Sequence, residues 1–585
     1  MNIREYLAQG RPLLFDGAMG TYYASRPGRA EARCEPANLD APEEIAAIHR
    51  AYLEAGARAI RTNTFDLGGD WNAAQKMVES GCRIALEAAR PYGAYVFADL
   101  GPAPREGALS PGGCYRRQAE LFLAQGLTCF IAETLPTGEG LPELARYLKE
   151  RCPEAFLLAS FAAGPDGITR EGLSVRALLQ RVAALDGVDG VGLNCVSGPH
   201  HLLELVRGLD WSALNGKYLS VMPNAGYPTV LGRRVAYRGG ADYFAARLAD
   251  TARSGAAIVG GCCGTTPDHI ARAARALEEA EARPPALPAR PREEFSPRLG
   301  QNRLRDKLEA GRRVIAVELD PPADDQVEGF MEGVRALREA GADAVTVADC
   351  PVGRPRADSS LLACKIRRET GAEPLPHLTC RDRNLNATKA LLLGLSMEGV
   401  HNVLLVTGDP IPTQDRDEVK SVFNFNSRKL IRYAAGLTGQ GLSVPLQIFG
   451  ALNVNAPNFA RQLELAREKE EAGAAGFLTQ PVHSPRALEN LALARQALRG
   501  YILGGVFPIV SHRNALFLNN EVAGVSVPED IVTRYEGLDR EAAEALALEL
   551  SVRTARDMVP FTDGWYLMTP FRRVSLMARI MAELA

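Results

Sequence analysis

Gly260-Gly261-Cys262-Cys263-Gly264-Thr265-Thr266-Pro267 follows the short apolar run Ala256 to Val259 and leads into a helical pattern. The order is strand, thiol pair, helix, so two cysteines crowd the carboxyl end of one strand. A second run, Val188 to Asn194, ends in the same way, in Gly192-Leu193-Asn194-Cys195. Chemistry gathered at the carboxyl ends of successive strands is the arrangement of a parallel α/β barrel. Three thiolates meeting at one point would bind zinc and leave a fourth tetrahedral position open for a substrate sulfur, whereas a structural zinc takes four protein ligands in paired spacing. The competing reading is plain burial, since cysteine is often a small core residue and the eight other cysteines need no special role.

Working outward, the first half offers eight candidate strands: Leu13 to Asp16, Ala59 to Asn63, Ala94 to Asp99, Cys129 to Glu133, Phe156 to Phe161, Gly190 to Cys195, Tyr218 to Met222 and Ala257 to Gly261. Helical patterns separate almost all of them. The second half gives Val314 to Leu319, Ala344 to Ala348, Leu375 to Leu378, Val403 to Thr407, Leu446 to Gly450, Gly476 to Thr479, Leu503 to Pro508 and Trp565 to Met568. Between the halves, Pro284, Pro285, Pro288, Pro291 and Pro297 interrupt any regular element, which reads as a stiff, exposed linker. The expected fold class is α/β: two tandem (β/α)8 TIM barrels, 1–282 and 301–585, joined by a Pro-rich linker over 283–300. Each half is close to the roughly 250 residues that such a barrel needs, and 585 residues exceed one ordinary core.

Composition narrows the function. A net charge of -3 and a sequence pI near 6.3 give no electrostatic reason to expect nucleic acid. The segment Met1 to Tyr6 lacks a signal-peptide core, and no apolar run approaches the roughly 20 residues that span a bilayer. The 11 cysteines are an odd number without export signals, so reduced thiols and metal ligation are expected rather than a disulfide framework. The expectation is a cytoplasmic enzyme acting on small molecules, without nucleic acid or membrane partners.

Asp16-Gly17-Ala18-Met19-Gly20-Thr21, Thr62-Asn63-Thr64-Phe65, Asn194-Cys195 and Gly261-Cys262-Cys263-Gly264 together resemble the homocysteine S-methyltransferase family across the whole first domain. The resemblance implies that Cys195, Cys262 and Cys263 hold zinc and that zinc takes up the homocysteine sulfur as a thiolate. It also implies that Asp16, Glu133 with Thr134, and Asn194 help to hold the amino-acid end of homocysteine. From the residues alone, Asp16, Glu133 and Glu35 read equally well as braces of the barrel rim.

The second half has no G-x-G-x-x-G after a strand, so a Rossmann dinucleotide site is not expected. Val317-Glu318-Leu319-Asp320-Pro321-Pro322, His377-Leu378-Thr379-Cys380, Leu405-Val406-Thr407-Gly408-Asp409-Pro410 and Glu471-Ala472-Gly473 leading to Phe477-Leu478-Thr479-Gln480-Pro481 resemble methylenetetrahydrofolate reductase, in order. That family is a flavin barrel reduced by NAD(P)H. The resemblance implies Glu318 as general acid opening the imidazolidine ring, and Asp409 as an acid contacting flavin and folate. It implies His377, Thr407, Gly408 and Lys469 on FAD, and Gln480 on folate. The sequence after Gln480, Pro481-Val482-His483-Ser484, lacks the aromatic that often follows, and Ser511-His512-Arg513 is also unusual for the family.

The expected protein is thus bifunctional, reducing methylenetetrahydrofolate and methylating zinc-bound homocysteine. Neither half shows the D-x-H-x-x-G pattern of a cobalamin module, so the methyl donor is expected to be a sulfonium ahead of a separate corrinoid protein. Two alternatives stand beside this: homocysteine and methylfolate barrels of a methionine synthase without reductase activity, or a zinc-binding scaffold for a methyltransferase partner. A homo-oligomer is the base-rate expectation.

Overall fold

The computed structural model describes residues 1–29, 33–103, 109–231, 234–237, 239–281, 300–411, 420–438, 441–521 and 525–584. The chain divides into two compact units, Met1–Glu293 and Glu294–Ala585. The expected linker lies outside the described residues, apart from Gly300.

The first unit holds β1 (Leu13–Leu14), β2 (Ala59–Arg61), β3 (Tyr95–Leu100), β4 (Cys129–Leu135), β5 (Phe156–Phe161), β6 (Gly190–Asn194), β7 (Tyr218–Met222), β8 (Pro228–Leu231), β9 (Arg234–Tyr237) and β10 (Ile258–Val259). Eight of these form one parallel sheet in the order β1-β10-β7-β6-β5-β4-β3-β2, and a parallel bridge from Phe15 to Ala59 joins its two ends. All eight expected runs are strands of this barrel. The antiparallel hairpin β8–β9, inserted before the last strand, was not expected, because strands of four residues are too short for a periodicity to show.

Side-chain alternation fills the bore. Leu13, Phe15, Ala59, Phe97, Ile131, Phe156, Leu158, Met222 and Ile258 pack inside, and Ile3 and Leu7 of the helix Ile3–Leu7 close the amino end. That helix is fixed by a capping box between Asn2 and Glu5. Two residues further along their strands, the same parity carries Arg61, Asp99 and Glu133 to the carboxyl end of the bore. Gly260 is required here, since a Cβ on it would stand 2.6 Å from the Phe15 Cβ. The next inward position after it is Cys262.

The second unit holds β11 (Val314–Leu319), β12 (Ala344–Val347), β13 (Pro374–Thr379), β14 (Asn402–Val406), β15 (Gln447–Leu452), β16 (Gly476–Pro481), β17 (Tyr501–Val506) and β18 (Gly564–Met568), a closed parallel barrel in chain order. All eight expected runs again fall on strands. Val314, Ala316, Ala344, Leu375, Leu404, Phe449, Leu478, Leu503 and Tyr566 fill the bore with Leu304 and Leu308 of the helix Arg303–Glu309. The same parity brings Glu318 and His377 inward. Among the described residues no helix is long and apolar enough to cross a membrane.

Candidate active sites

At the mouth of the first barrel the sulfurs of Cys195, Cys262 and Cys263 all lie within 4.8 Å of one another, with Cys195 Sγ 3.7 Å from Cys263 Sγ. Sulfurs bound at about 2.3 Å to a tetrahedral zinc stand about 3.8 Å apart, so the donor set and its spacing fit that ion. Backbone conformation sets the spacing. Cys195 and Val196 both take φ of 59°, in the left-handed region that a β-branched residue rarely enters. The Ser197 amide donates to the Cys195 carbonyl at 2.6 Å, and the Ser197 hydroxyl donates to the Ala163 carbonyl at 2.8 Å, which holds the turn. Gly264 sits at φ 80°, where a Cβ would come within 2.2 Å of the Tyr237 ring, so the hairpin β8–β9 closes against the thiol loop. Thr265 Oγ1 donates to the Cys262 carbonyl at 2.7 Å and accepts from the Ala18 amide at 3.0 Å, tying the Asp16 to Thr21 loop to the cysteines. The Cys263 thiol is pushed up to about 12, first by its hydrogen bond with Cys195 and then by burial.

Beside the thiols lies a charged cluster whose hub, Arg61, was not singled out in the sequence. Buried Arg61 donates through Nε to Asp16 Oδ1 at 2.9 Å, through Nη1 to Glu133 Oε2 at 2.9 Å, and through Nη2 to the carbonyls of Gly17 at 2.8 Å and Gly261 at 3.0 Å. Asp16 also accepts the Arg61 amide at 3.0 Å. Asn194 Nδ2 donates to Glu133 Oε2 at 3.2 Å and to Thr134 Oγ1 at 2.8 Å, and lies 4.0 Å from Cys262 Sγ. Thr134 has φ of 59°, and its amide donates to Asn194 Oδ1 at 2.9 Å. Asp99 completes the layer: burial, and then the charge of Glu133, hold its carboxyl well above the usual range, and its Oδ1 has no partner among the described residues. Glu35 accepts the Asp66 amide at 3.2 Å and faces Arg33 at 3.8 Å, the contacts of a loop brace. The missing signal for Arg61 and Asp99 was strand parity, since each lies two residues beyond an apolar inward position.

In the second barrel, Tyr566 donates its hydroxyl to Glu318 Oε2, and His377 Nε2 stands 3.7 Å from the same oxygen. Burial, then the charge of Asp320, raises the Glu318 carboxyl to about 7, against the opposing hydrogen bond from Tyr566. Burial lowers His377 to about 4, so the imidazole is neutral at pH 7, and its Nε2 has no hydrogen-bond partner among the described residues. Thr407, Gly408 and Asp409 form the loop after β14. The Thr407 carbonyl accepts from the Cys380 amide at 3.2 Å, and the Asp409 carbonyl accepts from Arg381 Nη1 at 2.9 Å. Gly408, at φ 95°, approaches so closely that a Cβ would lie 2.9 Å from Thr379 Cβ. Lys469, on the helix Phe459–Glu471, donates to the Ala451 carbonyl at 2.6 Å, and burial followed by the charge of Arg428 lowers its ammonium to about 8. Gln480 is the penultimate residue of β16, where the pairing with β17 shifts register between Leu478 and Pro481. Lys469 and Gln480 therefore belong to the β15–β16 side of the barrel, across the ring from Glu318. Tyr566, absent from the residues expected by sequence, is the partner that places the Glu318 carboxyl.

The homocysteine S-methyltransferase family model matches residues 13–277, and the methylenetetrahydrofolate reductase model matches residues 303–583. The chain belongs to both families. Its homocysteine S-methyltransferase domain precedes its methylenetetrahydrofolate reductase domain, and both are enzyme domains of one-carbon methyl transfer and folate reduction. The methionine synthase of Mycobacterium leprae (strain TN) is 32% identical over 305 residues, covering 47% of this chain and 25% of that protein. The methionine synthase of Mycobacterium tuberculosis (strain ATCC 25618 / H37Rv) is 32% identical over 296 residues, covering 46% of this chain and 25% of that protein. The chain thus spans about a quarter of the length of these curated relatives. Among solved structures, the homocysteine methyltransferase MmuM from Escherichia coli is similar in its apo form at 24% identity and TM-score 0.37, covering 47% of this chain and 99% of that one. Its metallated form is similar at 22% identity and TM-score 0.38, with the same coverage.

Proposed function

We propose that this chain is a bifunctional enzyme whose second barrel reduces 5,10-methylenetetrahydrofolate to 5-methyltetrahydrofolate with NAD(P)H and whose first barrel methylates homocysteine to methionine. The functional division follows 1–282, 283–300 and 301–585. The observation that carries the reading is the cluster of three cysteine sulfurs within 4.8 Å at the mouth of a homocysteine S-methyltransferase barrel. Cys195, Cys262 and Cys263 would hold zinc, which when bound favours the thiolate of a coordinated thiol at neutral pH. Glu133, held by Arg61 and Asn194, faces the amino-acid end of the substrate, while Asp16 acts on Arg61.

In the second barrel His377, Thr407, Gly408, Asp409 and Lys469 would hold FAD, which when bound passes hydride between nicotinamide and folate. The close approach of the Gly408 backbone and the unpartnered His377 nitrogen support a ligand there. Glu318, half protonated near pH 7, gives its proton to the folate ring nitrogen as the ring opens, and Tyr566 keeps the carboxyl aimed. Gln480 holds the pterin. A neutral leaving group makes a sulfonium the favoured methyl donor to homocysteine, ahead of a separate corrinoid protein and of the methyltetrahydrofolate made by the second barrel. The eleven free thiols fit a reducing, cytoplasmic setting.

The test supplies the purified chain with NADH, carbon-labelled methylenetetrahydrofolate and homocysteine and follows the label by mass spectrometry. Label in methyltetrahydrofolate supports the reductase, and label in methionine would reverse the ranking of donors. No label movement overturns the reductase assignment.

A further inference from the structure

Behind the strands of the second barrel, outside its bore, lies a cavity of about 420 Å³ lined from the helices Pro485–Ala497, Glu529–Arg534 and Arg540–Asp557. Val506, one of its wall residues, belongs to the outer apolar layer with Ile502 and Leu567, so this space is separate from the Glu318 site. Its size falls within the roughly 300–1,000 Å³ of small-molecule sites. Val482, Leu488, Val506, Ile531 and Leu550 make the walls apolar.

Ser484, Ser551 and Thr554 also line the cavity, and two further polar groups there are buried without a partner among the described residues. His483 Nε2 and Tyr535 Oη are buried, line the cavity, and have no hydrogen-bond partner among the described residues. Tyr535 is 2% exposed. Buried donors and acceptors are almost always paired, so two facing one cavity mark a place where hydrogen bonds are completed by something bound. Burial lowers His483 to about 4, so it offers a neutral ring at pH 7. At the rim, exposed Arg553 and Asp557 lie one turn apart on one helix and Asp530 lies on another, and none of the three has an ion pair or hydrogen bond among the described residues. A cation beside two carboxylates at the entrance matches a zwitterion.

We propose that this cavity binds a free α-amino acid, its carboxylate at Arg553, its ammonium at Asp530 and Asp557, and its uncharged side chain ending at His483 and Tyr535. The side chain runs along apolar walls and ends in a hydrogen-bonding atom, which selects amides and thioethers over charged ends.

The test is isothermal titration calorimetry of the full chain with L-glutamine and L-methionine, repeated on Tyr535→Phe and Arg553→Gln, with melting temperatures alongside. Saturable binding of either amino acid, weakened at least tenfold in both variants, is expected. Because Tyr535→Phe deletes an unpaired hydroxyl, its melting temperature without ligand should not fall. Failure of both amino acids to bind overturns the proposal. So does binding that survives both substitutions, which would belong to the first barrel, or a lower melting temperature of unliganded Tyr535→Phe, which would give the hydroxyl to the fold. None of these readouts uses turnover, so they stand apart from the reactions proposed above.

Discussion

Replacing Glu318 by glutamine tests the reductase chemistry at one atom pair. Burial raises this carboxyl from an ordinary 4.5 to about 7. At pH 7 about half of the groups are protonated, against about 0.3% for an ordinary glutamate, so the site raises the acid population about 150-fold. General acid catalysis of this kind is worth about 10²–10⁴ in rate. Stopped-flow reoxidation of the NADH-reduced flavoprotein by methylenetetrahydrofolate should therefore be level at low pH and fall about tenfold per pH unit above 7. In Glu318→Gln it should be about 10²–10⁴ slower and independent of pH, while reduction by NADH changes little. Stability gives a second readout. The folded carboxyl has the higher pKa, so the native state binds more protons between pH 4.5 and 7, and stability falls as pH rises through that window. The difference between 4.5 and about 7 corresponds to roughly 3 kcal/mol at 1.36 kcal/mol per pH unit. Chemical denaturation of the wild type should show that loss, and Glu318→Gln should lack it. A reoxidation rate unchanged by the substitution, or a wild-type profile flat from pH 6 to 9, would refute the reasoning.

Tyr566→Phe removes a hydrogen bond that favours the ionised carboxylate, so the descending limb of the same profile should move to higher pH, and a shift to lower pH would contradict the geometry. Cys262→Ala should abolish zinc retention and homocysteine methylation, measured by metal analysis and methionine formation, while leaving flavin reduction intact because the two cores are separate. Arg61→Met leaves Asp16 and Glu133 buried without their cation and should cost the first unit about 3–5 kcal/mol in urea unfolding. Gly264→Ala must place a Cβ within 2.2 Å of the Tyr237 ring at a φ of 80°, so zinc should be lost to a chromogenic chelator at least tenfold faster, roughly the effect of 1.4 kcal/mol.

Both barrels were legible because their strands are buried on two faces and read as short apolar runs broken by helical spacing. The thiols were legible because glycines frame them: Gly260 lets Phe15 pack beneath the loop, and Gly264 lets Tyr237 close over it. The polar layer was harder to read. Arg61 and Asp99 look like strand residues among others, and only registering β2 against β3 places both in one bore. Tyr566 was hidden in the same way, inside a run that serves equally well as core. Asp16 and Glu133 were ambiguous in sequence because a carboxylate that binds an amine and one that binds a guanidinium need the same residue, and Arg61 is the partner that a linear reading omits.

The helices Ile3–Leu7 and Arg303–Glu309 put a pair of aliphatic side chains into the amino end of each bore. Each barrel is therefore a well with a stopper in its floor, not a passage. Whatever enters at the rim must back out by the same rim before the next molecule descends. Substrate and product queue at one doorway in each unit, so product accumulation should slow entry in each well separately.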